Sequence, residues 1–218
     1  GSSHLARAAR CPRTREVTEP REERQRRQGA PARPRPGAMF KGFAPEDVSG
    51  QNQVKSSVQR GIKQRILELY PRLEPVMKEI WPKDASMVIA KCKDHVLMVV
   101  IDKSPLFWQY RDGPWLPTLR LLHRVPTMMP KVQVDKGAIK FVLRGASIMC
   151  PGLTSPGGKM EDVEEGECVQ VTAEGTFHAC AVGVMTMSSA DVTKVNKGIC
   201  IDQIHFLNDG LWKIKELN

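Results

Sequence analysis

The sequence lacks several of the patterns on which common enzyme and metal chemistries depend. Its six cysteines include no Cys-x-x-Cys pair, and its five histidines show no metal-ligand spacing. It has neither a Gly-x-Ser-x-Gly nucleophile elbow nor a glycine-rich phosphate loop ending in Lys-Ser/Thr. We therefore expect no catalytic residues, no metal, no cofactor and no enzymatic activity, although a triad assembled across the fold would leave no trace in the spacing.

Long apolar runs and secretory signals are also missing. No segment approaches the roughly 18 apolar residues of a membrane span, and no apolar stretch near the N-terminus resembles a signal peptide. This predicts a cytoplasmic protein without membrane contact. The scattered cysteines, most of them in apolar strand-like contexts, are expected to be buried free thiols, with structural zinc as the alternative.

Positive charge is plentiful but unevenly distributed. The net charge of +9 comes from residues 1–38, with ten arginines and four glutamates, and from residues 39–130, with fourteen basic and nine acidic side chains. Residues 131–218 hold nine basic and eleven acidic side chains. A nucleic-acid contact in this last segment must therefore come from a local patch rather than from net charge.

Residues 1–38 are rich in Arg, Pro and Ala and nearly free of large apolar side chains. This composition predicts a disordered extension or tag remnant, with Gly1–His4 resembling a vector-derived scar and Met39 a natural start. Two alternatives stay open. An organellar presequence fits the arginines but not the glutamates and prolines, and a basic arm would contact RNA phosphates.

An amphipathic helix is predicted from Gln53 to Leu69. Its apolar stripe recurs every three or four residues, at Val54, Val58, Ile62, Ile66 and Leu69. The opposite face is basic and either contacts phosphate or is simply solvated; it carries Lys55, Arg60, Lys63 and Arg65. A second short helix should follow Pro71.

A small β-meander should come next, because β-rich runs cover Met87–Cys92, Val96–Ile101 and Leu106–Tyr110. An unusual density of aromatic residues follows from residue 107 to residue 115. We expect these rings either to build the core or to line a groove for a partner, in which case Trp108 and Trp115 are the predicted partner-binding residues. Pro126 and Pro130 mark the end of this domain.

The segment 131–153 predicts a helix, its stop signal and a strand. Asp135 is the expected N-cap of a helix whose buried side carries Ala138, Ile139, Val142 and Leu143, and Gly145 is expected to end it in a left-handed conformation. A strand at 146–150 should then close at Pro151-Gly152.

Further strands are predicted over 168–173, 177–187, 199–207 and 211–215. A short helix should begin after Ser188, and Asn208-Asp209-Gly210 is a strong hairpin signal between the last two strands. This content predicts a compact β-barrel. The acidic loop 161–167 should repel phosphate.

These residues carry a family resemblance. Gly137-Ala138, the apolar helix, Arg144-Gly145-Ala146 and Pro151-Gly152 resemble the opening of a PUA domain. With GPWLPTLRLLHR, MCPGLTSPGG and VNKGICIDQIHFLNDGLWKIK, the chain from Met39 onward resembles the malignant T-cell-amplified sequence family. The resemblance implies an α+β fold, with an N-terminal pre-PUA α/β domain (39–130) packed against a C-terminal PUA-type small β-barrel (131–218).

The resemblance also implies an RNA-facing surface. In PUA domains the first helix and its neighbouring glycine loop commonly face RNA, which here selects Lys136, Lys140, Arg144, Gly145, Pro151 and Gly152. Contacts of this kind would recognise RNA shape and backbone, because few aromatic residues are placed to stack bases in this domain.

The implied function is that of a non-enzymatic translation factor bound to the small ribosomal subunit and its rRNA. Family members pair with density-regulated protein in translation reinitiation and in tRNA release during ribosome recycling. Because no further domain follows Lys215, this partner is expected in trans. Two alternatives remain: a protein-interaction adaptor that has lost RNA binding, and an RNA-modification accessory module whose PUA domain binds tRNA or rRNA.

Overall fold

The computed structural model of the chain describes residues 39–217. The predictions made for residues 1–38, including the disordered extension and the state of Cys11, lie outside this range. None of the helices within it is long and apolar enough to cross a membrane.

The N-terminal half is an antiparallel five-stranded sheet flanked by helices. Its strands follow one another in space in the order β1-β2-β3-β4-β5. They are β1 (Val48–Gln53), β2 (Met87–Cys92), β3 (Val96–Ile101), β4 (Ser104–Tyr110) and β5 (Leu116–Pro117), and the helices are α1 (Ser56–Leu69), α2 (Met77–Ile80) and α3 (Leu119–Arg124). Short 3-10 helices cover Pro45–Asp47, Pro71–Val76 and Lys93–His95. The predicted bounds of β2 and β3 are confirmed.

The apolar stripe predicted for α1 is only partly buried. Ile66 is fully buried, but Val58 and Leu69 are each 47% exposed. Around the helix axis, Val58 and Leu69 lie on the same side of Ile66, at about 80° and about 60° from it. A buried face centred on the other side of Ile66 therefore leaves both residues at its margin. Tyr70, just after the helix, is buried and donates from its hydroxyl to the Trp115 carbonyl at 2.9 Å.

The C-terminal half is a six-stranded sheet in the order β7-β11-β10-β9-β6-β8, in which only the β6–β9 pair is parallel. Its elements are β6 (Lys131–Val134), α4 (Ile139–Val142), β7 (Ile148–Met149), α5 (Pro151–Thr154), β8 (Lys159–Met160), β9 (Cys168–Ala173), β10 (Ala179–Met185), α6 (Ser189–Val195), β11 (Ile199–Phe206) and α7 (Gly210–Lys213). The predicted N-cap Ser188 is confirmed, because its hydroxyl accepts from the Asp191 N–H. The helix and strand content confirms the α+β class.

The hairpin predicted at Asn208-Asp209-Gly210 is wrong, and so is the strand at 211–215. The chain turns there into α7, because the Asp209 carboxylate accepts from the Trp212 backbone N–H at 2.8 Å and caps the helix. Gly210 packs against the chain near the N-terminus, where a Cβ would overlap the Phe43 carbonyl. The turn residues therefore serve a helix start rather than a hairpin.

The two halves share their apolar cores. Ala179 and Val182 of β10 pack into the cluster around Ile66 and Phe107 of the N-terminal half. A second shared cluster combines Phe40, Trp108 and Leu116 with Ile204, Leu211 and Ile214. Burial of apolar surface across this junction holds the halves in one arrangement.

A buried histidine and carboxylate connect the two halves at this junction. The Leu119 N–H of α3 donates to His205 Nε2 at 3.1 Å, so the ring carries its proton on Nδ1, which lies 2.6 Å from Asp209 Oδ2. The same carboxylate accepts from the Phe206 N–H at 3.0 Å. His205 and Asp209 are 1% and 0% exposed. Burial of both side chains makes these bonds strong and their loss costly.

Replacing this carboxylate should therefore destabilise the whole molecule. We expect Asp209→Ala to lower the free energy of unfolding by about 3 kcal/mol, because it removes a helix cap and leaves the buried His205 proton without an acceptor. Urea unfolding measures the change. The exposed Asp112→Ala should change it by less than about 0.5 kcal/mol, and equal effects of the two variants would contradict the assignment.

Candidate nucleic-acid interface

The segment after β6 is organised by Asp135. Its backbone N–H donates to the Gly152 carbonyl at 3.0 Å, and its carboxylate accepts from the Gly137 N–H at 3.0 Å. Asp135 therefore closes a turn, and the prediction that it is the N-cap of the helix is wrong. The N-cap is Ala138, and α4 spans only one turn, Ile139–Val142. Residues 135–137 form an Asx turn, so the helix cannot begin earlier in the chain.

Gly145 ends this segment as predicted. Its φ of +83° lies in the left-handed region, where glycine has no Cβ penalty. The Gly145 N–H donates to the Val142 carbonyl at 3.0 Å, and the Ala146 N–H donates to the Phe141 carbonyl at 3.1 Å. Satisfied carbonyls and the left-handed glycine make this a defined helix end.

Pro151 and Gly152 begin α5 instead of closing a strand. The strand before them, β7, has only two residues, because Cys150 already turns into the helix. Proline suits the first helical position, since its missing N–H would be unpaired there in any case. Gly152 lies close to α4: a Cβ on it would lie 3.3 Å from the Ala138 Cβ. Glycine thus permits the close approach of the two short helices.

Between α4, β7 and α5 lies a groove of about 370 Å³ with a mostly apolar lining. Phe141 and Met149 line it and are 51% and 55% exposed. Pro151 and Gly152 also line it. Phe141 was not among the site residues predicted from the sequence, because few aromatic residues of this domain were expected to stack bases. Its position between Lys140 and Val142, off the buried side of the helix, was the available signal.

The predicted cations Lys136, Lys140 and Arg144 are all exposed on the segment that forms one wall of the groove. The Lys136 ammonium lies 4.0 Å from a Glu174 carboxylate oxygen. The Lys140 ammonium lies 5.0 Å from the centre of the Phe141 ring. The structure therefore brings cations and an exposed aromatic face together beside one groove.

The basic face of α1 is a separate surface. Lys55, Arg60 and Arg65 are exposed, but Lys63 is engaged in the fold. Its ammonium donates to the Trp81 carbonyl at 3.3 Å, and burial followed by repulsion from Lys83 lowers its pKa. Three of the four predicted cations are thus available on this face.

Trp108 and Trp115 are core residues. Their side chains are 0% and 4% exposed, and the Trp108 ring packs edge-on against Phe40 at 4.8 Å. The prediction that these two rings contact a partner is therefore wrong, because neither presents surface to one. The core alternative accounts for the aromatic density of this segment.

The cysteines of the described segment are free thiols, four of them buried. This confirms the interpretation of these five as free thiols. Burial raises the pKa of Cys92 and Cys180 to about 11 and that of Cys168 and Cys200 to about 12. Protonated thiols are weak nucleophiles and metal ligands. Between residues 39 and 217, no group of three His, Cys, Asp or Glu side chains is arranged to hold a metal ion.

Comparison with known proteins agrees with this architecture. Residues 43–126 match the family model of the Pre-PUA-like domain, and residues 130–207 match that of the PUA domain. A hypothetical protein of the archaeon Pyrococcus horikoshii OT3 superposes with a TM-score of 0.64 at 20% identity, covering 76% of this chain and 99% of the archaeal one. A PUA domain protein of Thermoplasma acidophilum gives 0.57 at 21% identity, over 75% and 98%. The fold and its groove define a PUA protein.

Relatives of higher identity specify the family. The human protein malignant T-cell-amplified sequence 2 is 52% identical over 178 residues, which are 81% of this chain and 98% of the human one. A Drosophila melanogaster homologue of malignant T-cell-amplified sequence 1 is 51% identical, over 81% and 98%. The chain belongs to the malignant T-cell-amplified sequence family, which confirms the resemblance.

The left-handed glycine beside the groove gives a test of its local geometry. We expect Gly145→Ala to lower the free energy of unfolding by about 1 kcal/mol, because alanine is strained at this φ. Gly61→Ala is the matched control, since Gly61 lies inside α1 with open space around it and should gain about 0.5–1 kcal/mol. Thermal or urea unfolding that gave both variants the same sign would contradict this geometry.

The raised thiol pKa values predict slow alkylation. In native protein at pH 8, iodoacetamide should label Cys92, Cys168, Cys180 and Cys200 at least about 100-fold more slowly than in protein unfolded by urea. Peptide mass spectrometry resolves each site. Fast labelling of any one of them in native protein would show that its thiol is ionised and accessible.

Proposed function

We propose that this protein is a non-enzymatic, RNA-binding translation factor that docks on the small ribosomal subunit in the cytoplasm. The observation that carries the proposal is the groove beside α4, which the exposed Phe141 lines and whose α4 segment carries the exposed Lys136, Lys140 and Arg144. Arginine and lysine bind phosphate through charge-assisted hydrogen bonds, and an exposed ring stacks a base.

The groove suits RNA of irregular shape. Sequence-specific readers of RNA splay bases out of single-stranded loops and hold them against aromatic side chains, while backbone contacts fix the register. The apolar walls beside Phe141 and Met149 offer such a surface for one unpaired base. The exposed Phe141 thus adds a base contact to the recognition of RNA shape and backbone that the sequence predicts.

Family membership supports the finer part of the proposal. We infer that the protein works with density-regulated protein as a heterodimer, in translation reinitiation and in tRNA release during ribosome recycling. Its own role would be positioning, since the RNA-bound groove would hold the partner near the tRNA site. The proposed chemistry requires no catalytic group, metal or cofactor.

A protein-interaction adaptor is the second candidate, and one observation favours it. Met149 and Ile199 are paired across β7 and β11, and both are at least half exposed next to the groove. An apolar patch of this kind also suits a protein partner. The two candidates differ in salt dependence, because phosphate contacts release counterions and protein contacts between apolar groups do not. An RNA-modification accessory module would instead prefer free tRNA to ribosomal subunits.

The experiment is cosedimentation of the full chain with purified small ribosomal subunits, at low and physiological salt, with and without density-regulated protein. We expect a variant with Lys136, Lys140 and Arg144 replaced by alanine to bind at least about tenfold more weakly. Its dependence of log K on log salt should be less steep by about 2, because it has lost three phosphate contacts.

The matched control replaces Lys41, Lys91 and Lys213 by alanine, which removes the same charge from exposed positions outside the groove. It should bind like the unmodified protein. Equal binding of all three proteins would move the RNA surface to Lys55, Arg60 and Arg65 of α1. No binding by any of them, with or without the partner, would reject the ribosomal proposal in favour of the adaptor.

A further inference from the structure

A second pocket, which is lined by basic residues, lies where the two halves meet, away from the groove beside α4. It has a volume of about 330 Å³ and lies between the start of β4, α3 and α7. Four of its lining residues, Arg120, Arg124, Trp212 and Lys215, define what we call the junction pocket. Among the described residues that line it, none carries a carboxylate. Three cations without a neutralising partner in the lining favour an anionic ligand.

Arg120 is held in place inside this pocket. Its Nη2 donates to the Trp212 carbonyl at 2.6 Å, and its guanidinium lies 4.5 Å from the Trp212 ring centre. Its Nε is buried and has no hydrogen-bond partner among the described residues. The Arg120 guanidinium and the Trp212 ring are thus fixed against each other before a ligand binds. This reduces the side-chain conformational entropy that is lost on binding.

Aromatic rings lead away from the pocket in an unbroken series, which we call the ring row: Trp212, His123, His178 and Phe177. Successive ring centres are 5.1, 4.8 and 5.3 Å apart. Phe177, at the far end, is 64% exposed, and the Lys131 ammonium lies 5.0 Å from its ring centre. The row therefore ends in an open aromatic face with a cation above it.

The far end of the ring row lies in a turn that contacts the segment before α4. Phe177 belongs to the same β9–β10 turn as Glu174, whose carboxylate accepts from the Lys136 backbone N–H at 3.3 Å. The Lys136 ammonium, 4.0 Å away, partly neutralises this carboxylate. Lys136, which lies just before α4, is therefore linked through Glu174 to the turn that carries Phe177.

We propose that the junction pocket and the ring row bind a single-stranded segment of RNA, with phosphates at Arg124 and Lys215 and a base stacked on Phe177. The inference rests on the RNA binding proposed above and adds a second contact surface to it. Proteins that hold single strands combine a cationic path with rings on which bases stack. An acidic peptide would use the cations but not the row of rings, so the observations favour RNA.

Burial of His123 is consistent with this role. Desolvation lowers the pKa of its imidazole, an effect partly opposed by the hydrogen bond between its Nε2 and the Ala179 carbonyl at 2.7 Å. His178, Arg120 and His205 lower it further by repulsion. The lowered pKa favours the uncharged ring, which lies tilted between Trp212 and His178 at interplanar angles of 58° and 37°.

The test uses the full chain and a fluorescein-labelled single-stranded RNA of mixed sequence, about 12 nucleotides long, followed by fluorescence anisotropy. Arg124→Ala with Lys215→Ala should weaken binding about tenfold and reduce the salt slope by about 1, because two phosphate contacts are lost. Phe177→Ala should weaken binding about tenfold with an unchanged salt slope. Phe177→Trp should bind like the unmodified protein, because tryptophan also stacks on a base.

Lys41→Ala with Lys91→Ala is the charge-matched control and should bind like the unmodified protein, since both side chains are exposed elsewhere. The groove variant of Lys136, Lys140 and Arg144 is measured in parallel. If the junction variants bind within about twofold of the unmodified protein while the groove variant is weakened, the inference is overturned and the proposed function stands.

Other results separate the two proposals further. Weakening by the junction variants alone would support the inference and remove the groove from RNA binding. Normal binding by every variant would overturn the inference and move the RNA surface of the proposed function to the basic face of α1. If the Arg124 and Lys215 variant binds RNA normally but loses a polyglutamate peptide that the unmodified protein binds, the junction is a site for acidic protein and the inference is likewise overturned.

Discussion

The buried pair of His205 and Asp209 is the constraint on which the arrangement of the two halves depends. A carboxylate that leaves water costs free energy unless hydrogen bonds replace its hydration, and here His205, the Phe206 N–H and the Trp212 N–H do so. Because His205 also accepts from the Leu119 N–H, one network fixes β11, α7 and α3 together. The network thereby helps to hold the backbones of Arg120 in α3 and Trp212 in α7, which meet in the junction pocket.

The groove beside α4 depends on short-range backbone contacts and on two glycines. Asp135 ties β6 to α5 through its N–H and folds the following turn through its carboxylate. Gly152 lets the two short helices approach, and Gly145 ends the first of them after a single turn. A one-turn helix has little stability of its own, so these tertiary contacts hold it in place. The exposed Phe141 is thereby presented at a fixed position instead of folding back into the core.

The strands with β-branched and apolar runs, such as Met87–Cys92 and Cys168–Ala173, could be predicted with their bounds because burial of such runs decides their structure locally. Lys131–Val134 and Lys159–Met160 could not, since they are strands only through pairing with distant segments. The hairpin prediction at Asn208-Asp209-Gly210 failed because the same residue types occur in turns and at helix N-caps. Only the tertiary contacts of Asp209 with His205 and of Gly210 with Phe43 show that a helix starts here. The cations of the site followed from the resemblance. Phe141 was signalled only by its place off the predicted buried side of the helix, and the structure shows that this ring is exposed.

The charge of the C-terminal half bears on how it would meet a polyanion. Residues 131–218 carry two more acidic than basic side chains, so attraction at long range is weak for this half as a whole. The charges are segregated, however. The α4 segment carries the exposed Lys136, Lys140 and Arg144, whereas residues 161–167 form an acidic loop. In this loop a Glu161 carboxylate oxygen lies 3.9 Å from the Arg72 guanidinium. At physiological ionic strength the Debye length is about 8 Å, so an approaching phosphate responds to the nearest cluster and not to the sum. Under the proposed function, this segregation would orient the protein, because RNA would be attracted to Lys136, Lys140 and Arg144 and repelled by the acidic loop. Net charge would then be a poor guide to binding.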